Sequence, residues 1–151
     1  MTQPHIPIIQ LDHASDLALP AYQSDGASGM DISAALLDPL TIEAGAFVAV
    51  PTGLCVAIPQ GYEIQIRPRS GLAFNHGITV LNSPGTIDSD YRGEIKIALI
   101  NHGTQAVTIT HGMRIAQMVI AQIVTAELVL TDNLDETARG TDGFGSTGTG
   151  A

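Results

Sequence analysis

The chain has 151 residues, 44% of them hydrophobic, and fifteen acidic against six basic side chains give a formal charge of −9. That length and apolar content suffice for one domain with a real core and exclude disorder throughout. The acidic balance excludes binding of DNA, RNA or an anionic membrane through a basic face, and makes a small polyanion the better partner for the few cations.

Those cations are Lys96, Arg67, Arg69, Arg92, Arg114 and Arg139, and three of them, Arg69, Arg92 and Arg139, stand beside Ser or Gly in loop-like sequence. From the start of the chain, MTQPHIPIIQ lacks the charged region and long apolar core of a signal peptide. HASDLALPAY has room for a helical turn or two. In SDGASGMDISAA, Asp31 follows a run of small residues and precedes a strand; it is either a turn residue or a carboxylate able to help hold Mg²⁺. Cys55 is alone in GLCVAIP, which excludes a disulfide framework and reads as an inert buried thiol. A soluble, cytoplasmic protein is expected.

Turn signals recur at Pro51-Thr52-Gly53, Pro59-Gln60-Gly61, Ser83-Pro84-Gly85, Asn101-His102-Gly103 and His111-Gly112. Between them lie short runs of period two. Tyr62, Ile64 and Ile66 share one face, with Glu63, Gln65 and Arg67 on the other. Ile95, Ile97 and Leu99 alternate with Lys96, Ala98 and Ile100. This spacing predicts an all-β sandwich or barrel.

In IRPRSGLAFNHG, Arg67 and Arg69 are two apart on a strand and so share a face. Ser70 and Gly71 then open a short helix-like segment. The group is either a phosphate cradle or an ordinary cap with two solvated arginines. In NSPGTIDSDYRG, Asp88 and Asp90 flank a tight turn, with Asn82 upstream and Tyr91 downstream. The segment is a plain hairpin, or an amide, a carboxylate and a ring lining a pocket for a polar heterocycle. Arg114 and Gln117 are polar residues on the otherwise apolar strand HGMRIAQMVI, and such groups need partners. The stretch IAQMVIAQIV is too short and too interrupted to span a bilayer. The five histidines have no metal-ligand spacing and read as turn and surface residues.

No repeat or linker divides the chain, but after Leu130 the aliphatic residues thin out and Gly, Thr and Asp take over. This predicts a globular region over 1–130 and a mobile arm over 131–151. The arm contains G-x-G-x-x-G from Gly143 to Gly148. Only three residues follow, so no helix can form and the dinucleotide-turn reading fails. What remains is a disordered tail, or a lid of backbone N–H donors with Arg139 at its start and Phe144 as its ring.

Taken in order, ASGMDISA, RPRSGLA, GTIDSDYRG, RIAQMV and RGTDGFGSTG resemble the five motifs of the trimeric deoxyuridine triphosphatase family. The resemblance runs from about Ser24 to Gly148. It implies a jelly-roll β-barrel, a homotrimer with shared sites, and Mg²⁺-assisted hydrolysis of dUTP to dUMP and pyrophosphate. That reaction limits uracil incorporation into DNA and supplies dUMP for thymidylate synthesis. By resemblance Asp88 activates the attacking water, Asn82 with the backbone of Gly85, Thr86 and Ile87 reads uracil, and Tyr91 packs under deoxyribose. Arg69, Ser70, Gly71 and Gln117 take phosphate, and Asp31 holds a water on Mg²⁺. Arg139 meets the terminal phosphate, Phe144 covers uracil, and Gly145, Ser146 and Thr147 wrap the phosphates. Met30, Met113 and Asp142 depart from the family pattern, and Asp142 adds a negative charge near the lid. The related deoxycytidine triphosphate deaminases carry a glutamate where this chain has Ala98. A deaminase-like protein or a non-catalytic nucleotide binder on the same fold are the alternatives.

Overall fold

The computed structural model describes residues 3–143. Ile- and Val-rich runs broken by Gly and Pro form short strands. They are β1 (Ile8–Gln10), β2 (Met30–Ser33), β3 (Leu40–Ile42), β4 (Phe47–Pro51), β5 (Leu54–Val56), β6 (Tyr62–Arg67), β7 (Ile78–Val80), β8 (Gly85–Ile87), β9 (Lys96–Asn101), β10 (Val107–Ile109) and β11 (Arg114–Gln122). One α-helix, α1 (Ser70–His76), joins β6 to β7, and HASDLALPAY, expected to hold a helical turn or two, contains only the last two residues of a 3₁₀ turn at Asp12–Ala14.

Strand pairing is antiparallel throughout the described residues. The order β2-β11-β6-β8 makes the larger sheet and β4-β9-β7 the smaller, with β1-β5 and β3-β10 as separate pairs. The fold is all-β and jelly-roll-like. It differs from a closed barrel because β8 pairs only with β6, and β7 only with β9. Both edges are three residues long, which limits the unpaired backbone they expose.

The alternation read from the sequence sets the core. Ile64 and Ile66 point inward, and Ile95, Ile97 and Leu99 are at most 1% exposed, packed with Ile32, Val50 and Ile115. Cys55 corrects its expected burial: Leu54 and Val56 take the inward positions of β5, so Cys55 faces the other way and is half-buried. Buried Asn101 donates to the carbonyls of Ile42 (2.9 Å) and Gln105 (2.8 Å) and accepts from the Gly103 N–H (2.8 Å). It ties β9 to β3 with its polar atoms satisfied.

Two local features place the polar residues. Pro68, lacking an N–H, ends β6, and Leu72 anchors α1 in the core. Gly77 then closes the helix with φ +69°, its N–H bonded to the Ala73 carbonyl. A Cβ at Gly77 would stand 2.4 Å from the Gly103 nitrogen, so both conformation and space demand glycine there. The second feature is a bulge in β11: Arg114 pairs with Ser33, Ala116 with Ile32 and Gln117 with Asp31. Residues three apart on a regular strand face opposite ways, and the extra residue returns Arg114 and Gln117 to one face.

The sheets end at Gln122, where Ile123 still donates to the Gly61 carbonyl. Beyond it the described chain is exposed, with Val124 at 92% and Leu130 at 99%. No described helix is long and apolar enough to cross a membrane.

Candidate functional site

The polar residues form two groups. The first lies on the outer face of the larger sheet, where register aligns Asp31, Gln117 and Arg67 across β2, β11 and β6. Asp31 accepts from Arg69 Nε through one oxygen (2.9 Å) and from an Arg114 terminal nitrogen through the other (3.0 Å). Arg69 also donates to the Arg114 carbonyl (3.0 Å). The carboxylate therefore pins two guanidiniums, and the trio keeps a net positive charge suited to phosphate oxygens. Gln117 donates to the Pro68 carbonyl (3.0 Å), and a Cβ on Gly29 would stand 2.7 Å from its Oε1. Gly29 thus leaves the room in which that amide sits. Ser70 and Gly71 are exposed beside this cluster at the start of α1.

Arg67 and Arg69 do not converge. Arg67 folds back along β6 and donates twice to Gln65 Oε1 (3.0 and 2.6 Å), whereas Arg69 lies beyond Pro68 and crosses to Asp31. The strand stops at the proline, so the expected two-arginine face is replaced by Arg69 and Arg114 joined at Asp31.

The second group surrounds edge strand β8. A narrow cavity of about 110 Å³ is lined by Asn82, Gly85, Thr86 and Ile87, with Ala98 on its far wall. β8 has a partner on one side only, so its other backbone edge has groups left over for a ligand. A Cβ at Gly85 would lie 3.4 Å from Asn82 Nδ2, so the amide sits close over this glycine. A second cavity of about 380 Å³ shares Thr86, Ile87 and Lys96 with the first and adds Asp88 and Tyr91. Tyr91 donates its N–H to the Asp88 carbonyl (3.2 Å), and Arg92 bridges the carbonyls of Ser89 (2.7 Å) and Tyr91 (2.8 Å). The turn therefore holds an exposed carboxylate and an exposed ring toward one cavity.

One chain does not bring the two groups together. Ile87 pairs with Ile64, so Asp88 follows at the level of Glu63, while Arg69 lies past Arg67 at the other end of β6. Four strand residues separate those levels, roughly 13 Å along the sheet. Arg139 bonds within the arm, donating to the Asp142 carbonyl (2.8 Å). Phe144, Gly145, Ser146 and Thr147 lie outside the described residues.

As to a metal, no three His, Cys, Asp or Glu side chains converge among the described residues. Asp31 is the acid beside the phosphate-type arginines, and each of its oxygens already has one partner. A carboxylate offers about four lone-pair directions, so it retains capacity for a metal-bound water. The donor set fits a cation carried in by a polyanion and touched through water.

Sequence reasoning missed the pin between Asp31 and Arg114, because the bulge that makes it has no residue signature. His13, expected as a turn or surface residue, is partly buried, with its Nε2 2.8 Å from Glu94 Oε1.

Comparison with known proteins shows the family. The dUTPase family model matches residues 15–148. The deoxyuridine 5'-triphosphate nucleotidohydrolase of Beijerinckia indica is 57% identical over 150 residues, covering 98% of this chain and 94% of its own. The protein of the same name from Roseobacter denitrificans is 61% identical over 135 residues, 89% of each chain. Among solved structures, the dUTPase of Staphylococcus bacteriophage 80alpha with dUPNHPP superposes with a TM-score of 0.86 at 24% identity, over 96% of this chain and 99% of that one. A dUTPase of phage phi11 of S. aureus, in which a structural Mg(II) ion is coordinated, gives 0.75 at 21% identity, over 85% and 97%. The structural likenesses speak to the fold. The family model and the sequence relatives carry the conclusion, since both run through nearly the whole chain: it belongs to the dUTPase family.

Proposed function

We propose that this enzyme hydrolyses dUTP to dUMP and pyrophosphate by water attack on the α-phosphorus. The observation that carries the reading is the pair of cavities that share the residues of β8, one with Asn82 and a free strand edge, the other with Asp88 and Tyr91. Uracil enters the narrow cavity, where Asn82 and the backbone of Gly85, Thr86 and Ile87 match its donors and acceptors. Cytosine would leave buried polar groups unpaired, and thymine would be rejected by the steric fit around its methyl group. Tyr91 packs beneath the deoxyribose.

Asp88 removes a proton from water as its oxygen bonds to the α-phosphorus. The bond from that phosphorus to the bridging oxygen breaks, and pyrophosphate leaves. Arg69, oriented by Asp31, and Gln117 hold phosphate oxygens, with the Ser70 and Gly71 backbone beside them. Arg139 takes the terminal phosphate, Phe144 covers uracil, and Gly145, Ser146 and Thr147 wrap the phosphates. When bound, Mg²⁺ would supply charge neutralisation on the triphosphate, and Asp31 is the residue that would hold it, through water. Membership in the deaminase branch is disfavoured by the base slot itself: the position of that branch's glutamate is Ala98, a methyl group on the cavity wall.

Because Asp88 and Arg69 stand at opposite ends of β6, a complete site needs groups from more than one chain. A homotrimer with shared sites meets that need. The exposed aliphatic residues beyond the last strand, Val124, Leu128 and Leu130, belong against a neighbouring copy, since each is at least 92% exposed in the single chain. The single free thiol suits a reducing cytoplasm.

The test of the reading is pyrophosphate release from dUTP with dCTP and dTTP as controls. Asp31→Ala should raise KM for dUTP roughly tenfold with a smaller loss in kcat, because two guanidiniums lose the carboxylate that orients them. Steady-state kinetics on the two proteins checks this. An unchanged KM would remove Asp31 from phosphate binding.

A further inference from the structure

Tyr91 is held by a chain of contacts that starts far from it in sequence. Its hydroxyl donates to the backbone carbonyl of Glu94 (2.9 Å). A Cβ on Gly93 would lie 2.5 Å from that hydroxyl oxygen, so the ring can fold back to reach the carbonyl only because residue 93 is glycine. The Glu94 side chain turns the other way. Its Oε1 accepts from the Gly53 N–H (2.8 Å) and faces His13 Nε2 (2.8 Å), with only 17% of the side chain exposed.

Both anchors are tightly packed. Gly53 has φ +68°, a Cβ there would meet the Ala14 methyl carbon at 2.2 Å, and its carbonyl accepts from Leu11 (2.7 Å). His13 belongs to the 3₁₀ turn that leads into Ala14, which is fully buried. The next residue after Glu94 is tied as well: Ile95 donates to the Leu54 carbonyl (2.8 Å) and accepts from Thr52 Oγ1 (2.7 Å). The ring thus hangs from a carbonyl whose own residue is bolted to the turn at 52–54 and to the 3₁₀ turn near the start of the chain.

By the dUTPase resemblance the Tyr91 ring leaves no room for a 2′-hydroxyl, and a ring in that role works only if it cannot retreat. A shift on the order of 1 Å is enough to change how a bound group is tolerated. We infer that Glu94, clamped by His13 and Gly53, is the residue that positions the Tyr91 ring and so sets discrimination between deoxyribose and ribose. Glu94 also lines the cavity of Asp88 and Tyr91, but its carboxylate is engaged by Gly53 and His13, so Glu94 and His13 are positioning residues that act through the Tyr91 ring. The inference rests on the reading of Tyr91 as the sugar-facing ring.

The test is the ratio of kcat/KM for dUTP over UTP in the full-length protein. Glu94→Ala should lower that ratio about tenfold, the typical consequence of losing a charge-assisted hydrogen bond that holds a group in place. Activity on UTP should rise relative to that on dUTP. Glu94→Gln retains an acceptor for the Gly53 N–H and should restore most of the ratio. Gly93→Ala presses only on the end of the Tyr91 side chain, so it should leave thermal unfolding near wild type and also lower the ratio about tenfold. If Glu94→Ala and Gly93→Ala slow both substrates equally and leave the ratio unchanged, the residues are merely structural and the inference is wrong. If the wild-type protein hydrolyses neither nucleotide, the proposed function fails first and the inference with it.

Discussion

Asp88→Asn is expected to lower turnover of dUTP by about 10²–10⁴-fold while leaving nucleotide binding nearly intact, the usual worth of a general base. The position of Asp88 is the reason. It follows β8 immediately, is exposed toward the cavity that also holds Tyr91, and lies beside the slot assigned to the base. Asparagine keeps the size and the hydrogen bonding of the turn but cannot accept a proton from water. The Arg92 bridges to the Ser89 and Tyr91 carbonyls do not involve the Asp88 side chain, so the turn should survive the change. Single-turnover kinetics with a parallel binding measurement checks both halves. Turnover within a few-fold of wild type would take Asp88 out of the chemical step.

Truncation after Thr137 should cost about 10²–10³-fold in turnover, since it removes Arg139 and the glycine-rich run proposed to close over the phosphates. The fold should tolerate it. The last strand ends at Gln122, and the described residues removed are exposed and bonded only among themselves or to Thr137. A second outcome follows if sites are shared. Truncated chains keep Asp88 and Asp88→Asn chains keep the arm, so refolding the two inactive variants together should restore part of the activity. Full activity in the truncated protein would refute the lid. Failure of the mixture to recover any activity would refute sharing between chains.

Much of the fold was open to reading because burial follows period-two alternation. Ile64 and Ile66, and then Ile95, Ile97 and Leu99, fell inward as their spacing required. The hairpin residues were legible for a related reason: Asn82, Asp88 and Tyr91 lie within ten residues, so local sequence fixes their neighbourhood. Long-range geometry was not. Arg114 and Gln117 are three apart, a spacing that places them on opposite faces of a regular strand, and only the bulge brings both to Asp31. Asp31 itself looked like a water-mediated metal contact and is also the clamp for two arginines from other elements. Arg67 and Arg69 would share a face on a continuous strand, but β6 ends at Arg67 and Pro68 turns Arg69 toward Asp31. Glu94 and His13 carried no motif at all, since their partnership spans most of the chain and depends on a glycine turn at residue 53. Contacts between strands distant in sequence depend on register and bulges, which composition does not encode.

The most direct test of the central claim is hydrolysis in ¹⁸O-labelled water, with dUTP, dCTP and dTTP supplied in turn and Mg²⁺ present. The account predicts that dUTP alone is consumed efficiently, with a preference of about 10²-fold or more over either control. One labelled oxygen should appear in dUMP and none in pyrophosphate. Label in pyrophosphate, comparable rates on all three nucleotides, or ammonia released from dCTP would contradict it.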